Sequence, residues 1–225
     1  MRQNQYDLIE QYMLSCMGDS AHDKEHIYRV LHVALDIAKT EENVDYDILI
    51  CACLLHDIGR MEQFANPSLC PAQIGAEKAY KFLLEHGFER CFAENVKECV
   101  QTHRFRADNP PQSIEAKVLF DADKVDVCGA IGIARTLVYK GRVSEPLYSL
   151  DENGQVLDGS KDTESSFFQE YKYKLEGLYD NFFTARGKEI AEERRAAAKS
   201  FYESMLSEVQ VSYDLGSANL KKYIE

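Results

Sequence analysis

Apolar residues return at three- and four-residue steps along most of this chain, the period of an amphipathic helix. Leu8, Ile9, Tyr12, Met13 and Cys16 form the first such set, which Gly18-Asp19-Ser20 ends. Ile27, Val30, Leu31, Ala34, Leu35 and Ala38 form the second, with Asp23 placed to cap it. A third segment starts at Asp45 or Asp47 and runs through Ile48, Leu49, Ala52 and Leu55. It is apolar almost all round, which predicts a central helix. Met61 to Pro71, with Asn66-Pro67 and Cys70-Pro71, reads as a loop. Helical spacing resumes from Ala72 to His86, and Gly87 is placed to close that helix.

Another helix fits Ala93 to His103, followed by a loop to Gln112 that contains Asn109-Pro110-Pro111. Ser113 opens the next, which carries Asp121, Asp123 and Asp126 among Val118, Leu119, Phe120, Val125 and Val127. Acids inside an apolar run are costly unless something compensates them. Gly129 and Gly132 allow a close helix approach or a break before a helix that reaches Tyr139. Lys140 to Asp162 is polar and holds Asn153-Gly154 and Asp158-Gly159, so it reads as a long exposed excursion. Phe167 to Phe183 and Lys188 to Val209 are two more helical patterns, and the last dozen residues show no clear period. No strand-like alternation longer than a few residues occurs. The expectation is an all-α domain of roughly eight to ten helices, a single domain over 1–209 with a tail over 210–225.

Composition narrows the classes. With 225 residues and 45% hydrophobic content, the chain can bury a sizeable core, and no apolar run approaches the roughly 20 residues of a membrane helix. Met1 to Asp7 lacks the apolar core of a signal peptide, so the expected location is cytoplasmic. Seven cysteines, an odd number without regular spacing, read as buried, reduced packing residues. A net charge of −12 argues against coating DNA. It leaves room for a nucleotide, because a metal ion and a few bases dominate the field inside one pocket.

The chemistry concentrates at Leu54-Leu55-His56-Asp57-Ile58-Gly59-Arg60, where an imidazole and a carboxylate end the apolar segment. With His26 on the second helix and Asp123 on a later one, they make a mixed nitrogen and oxygen set suited to Mn, Fe, Co, Ni, Mg or Zn. This order resembles the HD superfamily of metal-dependent phosphohydrolases. The resemblance extends over His22 to Val30, Cys53 to Gly59, Asp121 to Asp126, Gly129 to Arg135 and Thr184 to Arg194. It implies an all-α HD-domain helical bundle with additional C-terminal helices. It also implies a divalent metal ion held by His26, His56, Asp57 and Asp123, the family's Ala-Asp-Lys/Arg pattern selecting Asp123 over Asp121. His32 and His86 match no motif and read as hydrogen-bonded core side chains, while His22 helps shape a helix start.

Two departures bear on metal count. Binuclear relatives carry a histidine where this chain has Pro71, and often a His-His pair where it has His103-Arg104. One metal ion is therefore expected. The implied reaction is hydrolysis of a nucleotide or related phosphate ester or anhydride by a metal-activated water. Splitting a triphosphate to monophosphate and pyrophosphate is one such activity. A 5′-nucleotidase is disfavoured by Arg60, where such relatives often have an acid, and a guanosine tetraphosphate hydrolase belongs to the same chemistry. Developing phosphoryl charge calls for nearby donors, for which Arg29, His103, Lys124, Arg60 and Arg104 are the candidates. Asp57 or Asp126 would take the water's proton, and the sequence does not choose between them. The alternatives are a nucleotide sensor without turnover and a structural metal protein.

Overall fold

The structure is a computed structural model that describes residues 1–17, 24–104 and 109–224. Among these residues the regular structure is helical, apart from one isolated bridge between Leu150 and Val156. The helices are α1 (Gln3–Cys16), α2 (Lys24–Ala38), α3 (Tyr46–Leu55), α4 (Arg60–Ala65), α5 (Pro71–Glu85), α6 (Arg90–Thr102), α7 (Ile114–Val125), α8 (Gly129–Arg142), α9 (Phe167–Glu170) and α10 (Ala185–Leu220). The chain divides into two compact units, Met1–Asp126 with Phe182–Lys188, and Val127–Asn181 with Glu189–Glu225. The all-α class read from the sequence is the class observed.

In the first unit α3 is packed by α1, α2, α5, α6 and α7. That position explains its composition: Leu49, Cys51, Ala52, Cys53, Leu54 and Leu55 are all fully buried, so no face needs to be polar. Each leucine removed from water stabilises by about 1.5–3 kcal/mol. Asp45 caps the helix by accepting from the amides of Asp47 and Ile48. Ser113 caps α7 in the same manner, accepting from Ala116. Asp23 and His22, read as shaping the start of α2, lie outside the described residues.

The stretch after α3 departs from the loop expected over Met61 to Pro71. Arg60–Ala65 is the short helix α4, and Pro71 is already the first residue of α5. Proline suits that place because its missing N–H would be unsatisfied there anyway. Lys78 fixes the turn before α4, its ammonium donating to Ile58 O at 2.8 Å and Glu62 Oε1 at 2.7 Å. Gly87, at φ +78°, ends α5 as expected.

In the second unit the excursion between α8 and α9 is only partly exposed, because Lys140 and Asp162 at its ends are buried with partners of their own. The single helix expected over Phe167 to Phe183 is three short pieces: α9, a π-helical turn at Tyr171–Leu175 and a 3-10 turn at Leu178–Asp180. Phe167, Phe168, Tyr171 and Leu175 pack with Ile133, Ala198 and Tyr202, and the rings of Tyr171 and Tyr202 stack at 4.1 Å. Packing of these large rings, rather than helical period, shapes the segment. Helix α10 runs unbroken for 36 residues to Leu220, past the boundary expected after Val209. Its end is exposed and carries no buried stripe, so the pattern of apolar residues gives no sign of it.

None of the seven cysteines is in a disulfide, and Cys51, Cys53, Cys99 and Cys128 are buried, while Cys70 and Cys91 are exposed. Among the described residues no helix is long and apolar enough to cross a membrane.

Candidate metal centre

His56 and Asp57 sit where α3 stops, in the turn that leads to α4. The turn needs Gly59: a Cβ there would lie 2.3 Å from Pro71 O and 2.7 Å from the Gly75 amide nitrogen. Glycine thus lets the start of α5 press against the His-Asp turn and fix it. His56 is fully buried and its Nδ1 donates to Cys53 O at 2.7 Å, three residues back. Asp57 is also buried, and Arg60 Nε donates to its Oδ1 at 2.8 Å. Its Oδ2 has no hydrogen-bond partner among the described residues.

His26, in the first turn of α2, is 2% exposed and pairs through Nδ1 with Asp126 Oδ2 at 2.8 Å. Arg29 holds that carboxylate from the other side, Nε reaching Oδ1 at 2.8 Å and Nη2 reaching Oδ2 at 3.2 Å. From α7, Asp123 brings Oδ1 to 3.3 Å from His26 Nε2 and 4.0 Å from His56 Nε2. The two Nε2 atoms are 3.2 Å apart, and Asp57 Oδ2 lies 3.6 Å from the first and 3.9 Å from the second. His26, His56 and Asp123 form a set whose ligand atoms all fall within 4.8 Å of one another. Asp57 joins through the two imidazoles.

The tautomers decide what this arrangement is for. A backbone carbonyl only accepts, so His56 carries its hydrogen on Nδ1. The Arg29-paired carboxylate of Asp126 likewise takes the Nδ1 hydrogen of His26. Both Nε2 atoms then present lone pairs to each other, a repulsive contact that only a cation or a proton between them reverses. Burial, against the pull of Asp57 and Asp123, pushes His56 down to about 4, so it supplies no proton near neutrality. Burial works to raise the Asp57 carboxyl, but Arg60 and the imidazoles of His56, His103 and His26 outweigh it and hold the group well below the usual carboxylate range. Asp123 is held low in the same way, against burial, by His26, His56 and His103. With bonds of about 2.1 Å, neighbouring ligands around one ion stand about 3.0 to 3.4 Å apart. The 3.2 Å and 3.3 Å separations match, and the donor set fits a divalent ion.

Among the other expected site residues, Arg60 and Arg29 are directed to the carboxylates of Asp57 and Asp126, respectively. The Lys124 ammonium lies over the rings of Phe120 and Phe182, at 5.3 Å and 5.0 Å. His103 ends α6, buried, with Nδ1 donating to Val100 O at 2.6 Å, and Arg104 follows it, half-buried. Asp121 points elsewhere: its carboxylate accepts from the amides of Phe183 and Thr184 and from the Thr184 hydroxyl, fixing the entry to α10. His32 is exposed, and so is His86, which bonds Phe82 O and packs on its ring. Neither is the core residue expected, since each lies on the solvent side of its helix. The role of Asp126 as the partner of His26 was not apparent from sequence. The only trace is its place three residues after Asp123, one helical turn along the same face.

Residues 24–128 match the family described as HD domain. This stretch of the chain is HD-like. The uncharacterized protein YpgQ of Bacillus subtilis is 29% identical to it over 196 residues, 84% of this chain and 86% of YpgQ. The crystal structure of YpgQ in complex with ADP superposes with a TM-score of 0.69 at 28% identity, covering 91% of this chain and 97% of that one. An HD-superfamily hydrolase from Bacillus thuringiensis gives 0.69 at 27% identity, covering 92% and 98%. A protein from Lactobacillus plantarum gives 0.74 at 25% identity, covering 94% and 99%. The chain is thus similar to HD-superfamily hydrolases, and it carries a cluster of two buried histidines and the half-buried Asp123 that could hold a divalent ion.

Proposed function

We propose that this HD domain is a divalent-metal-dependent phosphohydrolase that cleaves a nucleotide or related phosphate ester or anhydride, with release of pyrophosphate from a triphosphate as its finer activity. The observation that carries this reading is the meeting of the His26 and His56 Nε2 atoms with the Asp57 and Asp123 carboxylates at ligand-like separations. A nucleotide as the ligand is supported by the ADP complex of YpgQ.

His26, His56, Asp57 and Asp123 would hold the ion. When bound, it supplies Lewis-acid polarisation of a phosphoryl oxygen and lowers the pKa of a water. The protein's part is orientation. Arg29 and Asp126 aim the His26 ring, Cys53 O aims the His56 ring, and Arg60 turns Asp57 so that Oδ2 faces the imidazoles. Such outer partners set the tautomer and basicity of metal-binding histidines. Lys124, next to Asp123 and resting on two aromatic faces, is the cation we assign to the phosphoryl oxygens, with the partly exposed Arg29 and Arg60 as further candidates. Of the two carboxylates expected to take the water's proton, Asp126 is engaged through both oxygens by His26 and Arg29, whereas Arg60 leaves Asp57 Oδ2 open, which favours Asp57.

The test is to strip the protein of metal and reload it with Mn, Mg, Co or Ni. Nucleoside mono-, di- and triphosphates are then screened with separate assays for orthophosphate and pyrophosphate. Release of either product with at least one ion is expected. Measurable nucleotide binding with no release under any ion would overturn the reading in favour of a sensor.

A further inference from the structure

His103 has a buried, unengaged acceptor beside the metal centre. Its side chain is fully buried, and its Nδ1 hydrogen is committed to Val100 O at 2.6 Å, so Nε2 carries a lone pair. That Nε2 has no hydrogen-bond partner among the described residues. It stands 3.5 Å from Asp57 Oδ1, another acceptor, and the His56 ring lies edge-on with centroids 5.2 Å apart. A donor is needed in that space, because a buried acceptor left unsatisfied costs about 1–3 kcal/mol.

The identity of the donor follows by elimination. A phosphoryl oxygen accepts and brings no hydrogen. Arg60, the cation at this carboxylate, donates Nε to Asp57 Oδ1 and Nη1 to Gln63, and brings no hydrogen to His103 Nε2. Coordination of the ion by His103 is disfavoured by its aspect, since it approaches Oδ1 on the Arg60 side while Oδ2 is the oxygen turned to His26 and His56. Water fits, with two hydrogens to give and a lone pair left over.

We propose that His103 Nε2 accepts a hydrogen bond from a water at the metal centre and aims that water's lone pair at phosphorus. As the new O–P bond forms, the P–O bond to the leaving group breaks with its electron pair on the departing oxygen, which takes the proton the water loses. His103 is then a positioning residue, neither a metal ligand nor the phosphate donor expected from sequence. The attack rests on the phosphohydrolase reading, whereas the water contact stands apart from it.

The experiment uses the full chain loaded with Mn²⁺ and compares wild type with His103→Ala and His103→Gln, whose amide oxygen restores an acceptor. Free Mn²⁺ measured by electron paramagnetic resonance gives the affinity, and water-proton relaxivity reports the bound water without any substrate. Affinity is expected to stay within about threefold in both variants, with relaxivity shifted in His103→Ala and moved back toward wild type in His103→Gln. With a nucleotide that wild type cleaves, kcat of His103→Ala falls about 100-fold at nearly constant KM, and His103→Gln recovers part of that loss. Circular dichroism checks folding, and His103→Gln carries the comparison if His103→Ala does not fold. A tenfold or greater loss of Mn²⁺ affinity would make His103 a ligand and overturn the proposal. Raised KM at unchanged kcat would make it a substrate contact, and unchanged relaxivity would remove the water. If wild type cleaves no phosphate, the attack role falls with the phosphohydrolase reading, and relaxivity alone decides the contact.

Discussion

Around Lys140, in the second unit, a 3% exposed ammonium meets Glu145, the Ser165 hydroxyl at 2.9 Å and Glu170 at 3.8 Å, while Ser165 donates onward to Glu145 at 2.7 Å. Around His56, in the first unit, every donor is already spent on an outer partner, and the inward faces are His26 Nε2, His56 Nε2, His103 Nε2, Asp57 Oδ2 and Asp123 Oδ1. Both clusters bury ionisable groups, but only the one around Lys140 closes on itself. Positive charge, hydroxyl and carboxylates match at Lys140, so the protein alone satisfies them. The acceptors gathered at His56 are what the proposed cation and water would match from outside. Buried polarity that balances is structural, and buried polarity that leaves one sign over marks a place for a ligand.

The largest effect that would sharpen this contrast is on turnover. Asp123→Ala removes a ligand from the unbalanced cluster and should lower hydrolysis on the order of 10⁴-fold or more. Metal analysis of the purified variant should show the ion gone while circular dichroism stays unchanged, and a folded variant that keeps its metal and activity would break the comparison. Next, Asp126→Ala acts through His26 and should weaken Mn²⁺ binding roughly 10- to 100-fold, read by titration, and should cost the metal-free protein about 1–3 kcal/mol because the buried Nδ1 hydrogen of His26 loses its acceptor. Lys140→Ala opens the balanced cluster and should cost about 1 kcal/mol, because Glu145 and Glu170 are partly exposed and water replaces the lost ammonium. Urea unfolding measures this, and the loss should be the same with and without added Mn²⁺.

The smallest effect concerns thiols. Burial pushes Cys99 up to about 12 and raises Cys51 and Cys53 well above the ordinary thiol range. A raised pKa keeps these groups protonated as pH climbs through 8, so iodoacetamide at that pH should label the exposed Cys70 and Cys91 and leave Cys51, Cys53 and Cys99 until denaturant is added. Mass spectrometry of the labelled chain decides it. Fast labelling of Cys53 in the folded protein would show that the helix leading to His56 opens readily.

The central helix was legible from its own residues, because an all-apolar run over Ile48 to Leu55 has no face to give to water. The order His26, His56-Asp57, Asp123 was legible as a donor set, and the structure brings these groups together. Less of the surrounding apparatus was visible. Asp121 and Asp123 sit two apart in α7 and read alike, yet one turns to the Thr184 hydroxyl and the other to His26. His32 and His86 looked like core residues and lie at the surface, while Lys140, at the start of a polar excursion, is buried.

The sequence by itself determined the helical class, the placement of α3 and the chemical types that gather for a metal, since helical period and donor chemistry are properties of neighbouring residues. Tertiary structure decided the Arg29 grip on Asp126, 97 residues away, the tautomers of His26, His56 and His103, and the turn at Gly59 that points Asp57 inward. The tautomers of His56 and His103 follow from carbonyls three residues back that become acceptors only once their helices end. The tautomer of His26 depends on a carboxylate from another helix. Which nitrogen is bare, and hence where an ion or a water can be held, is fixed only when those ends and helices meet.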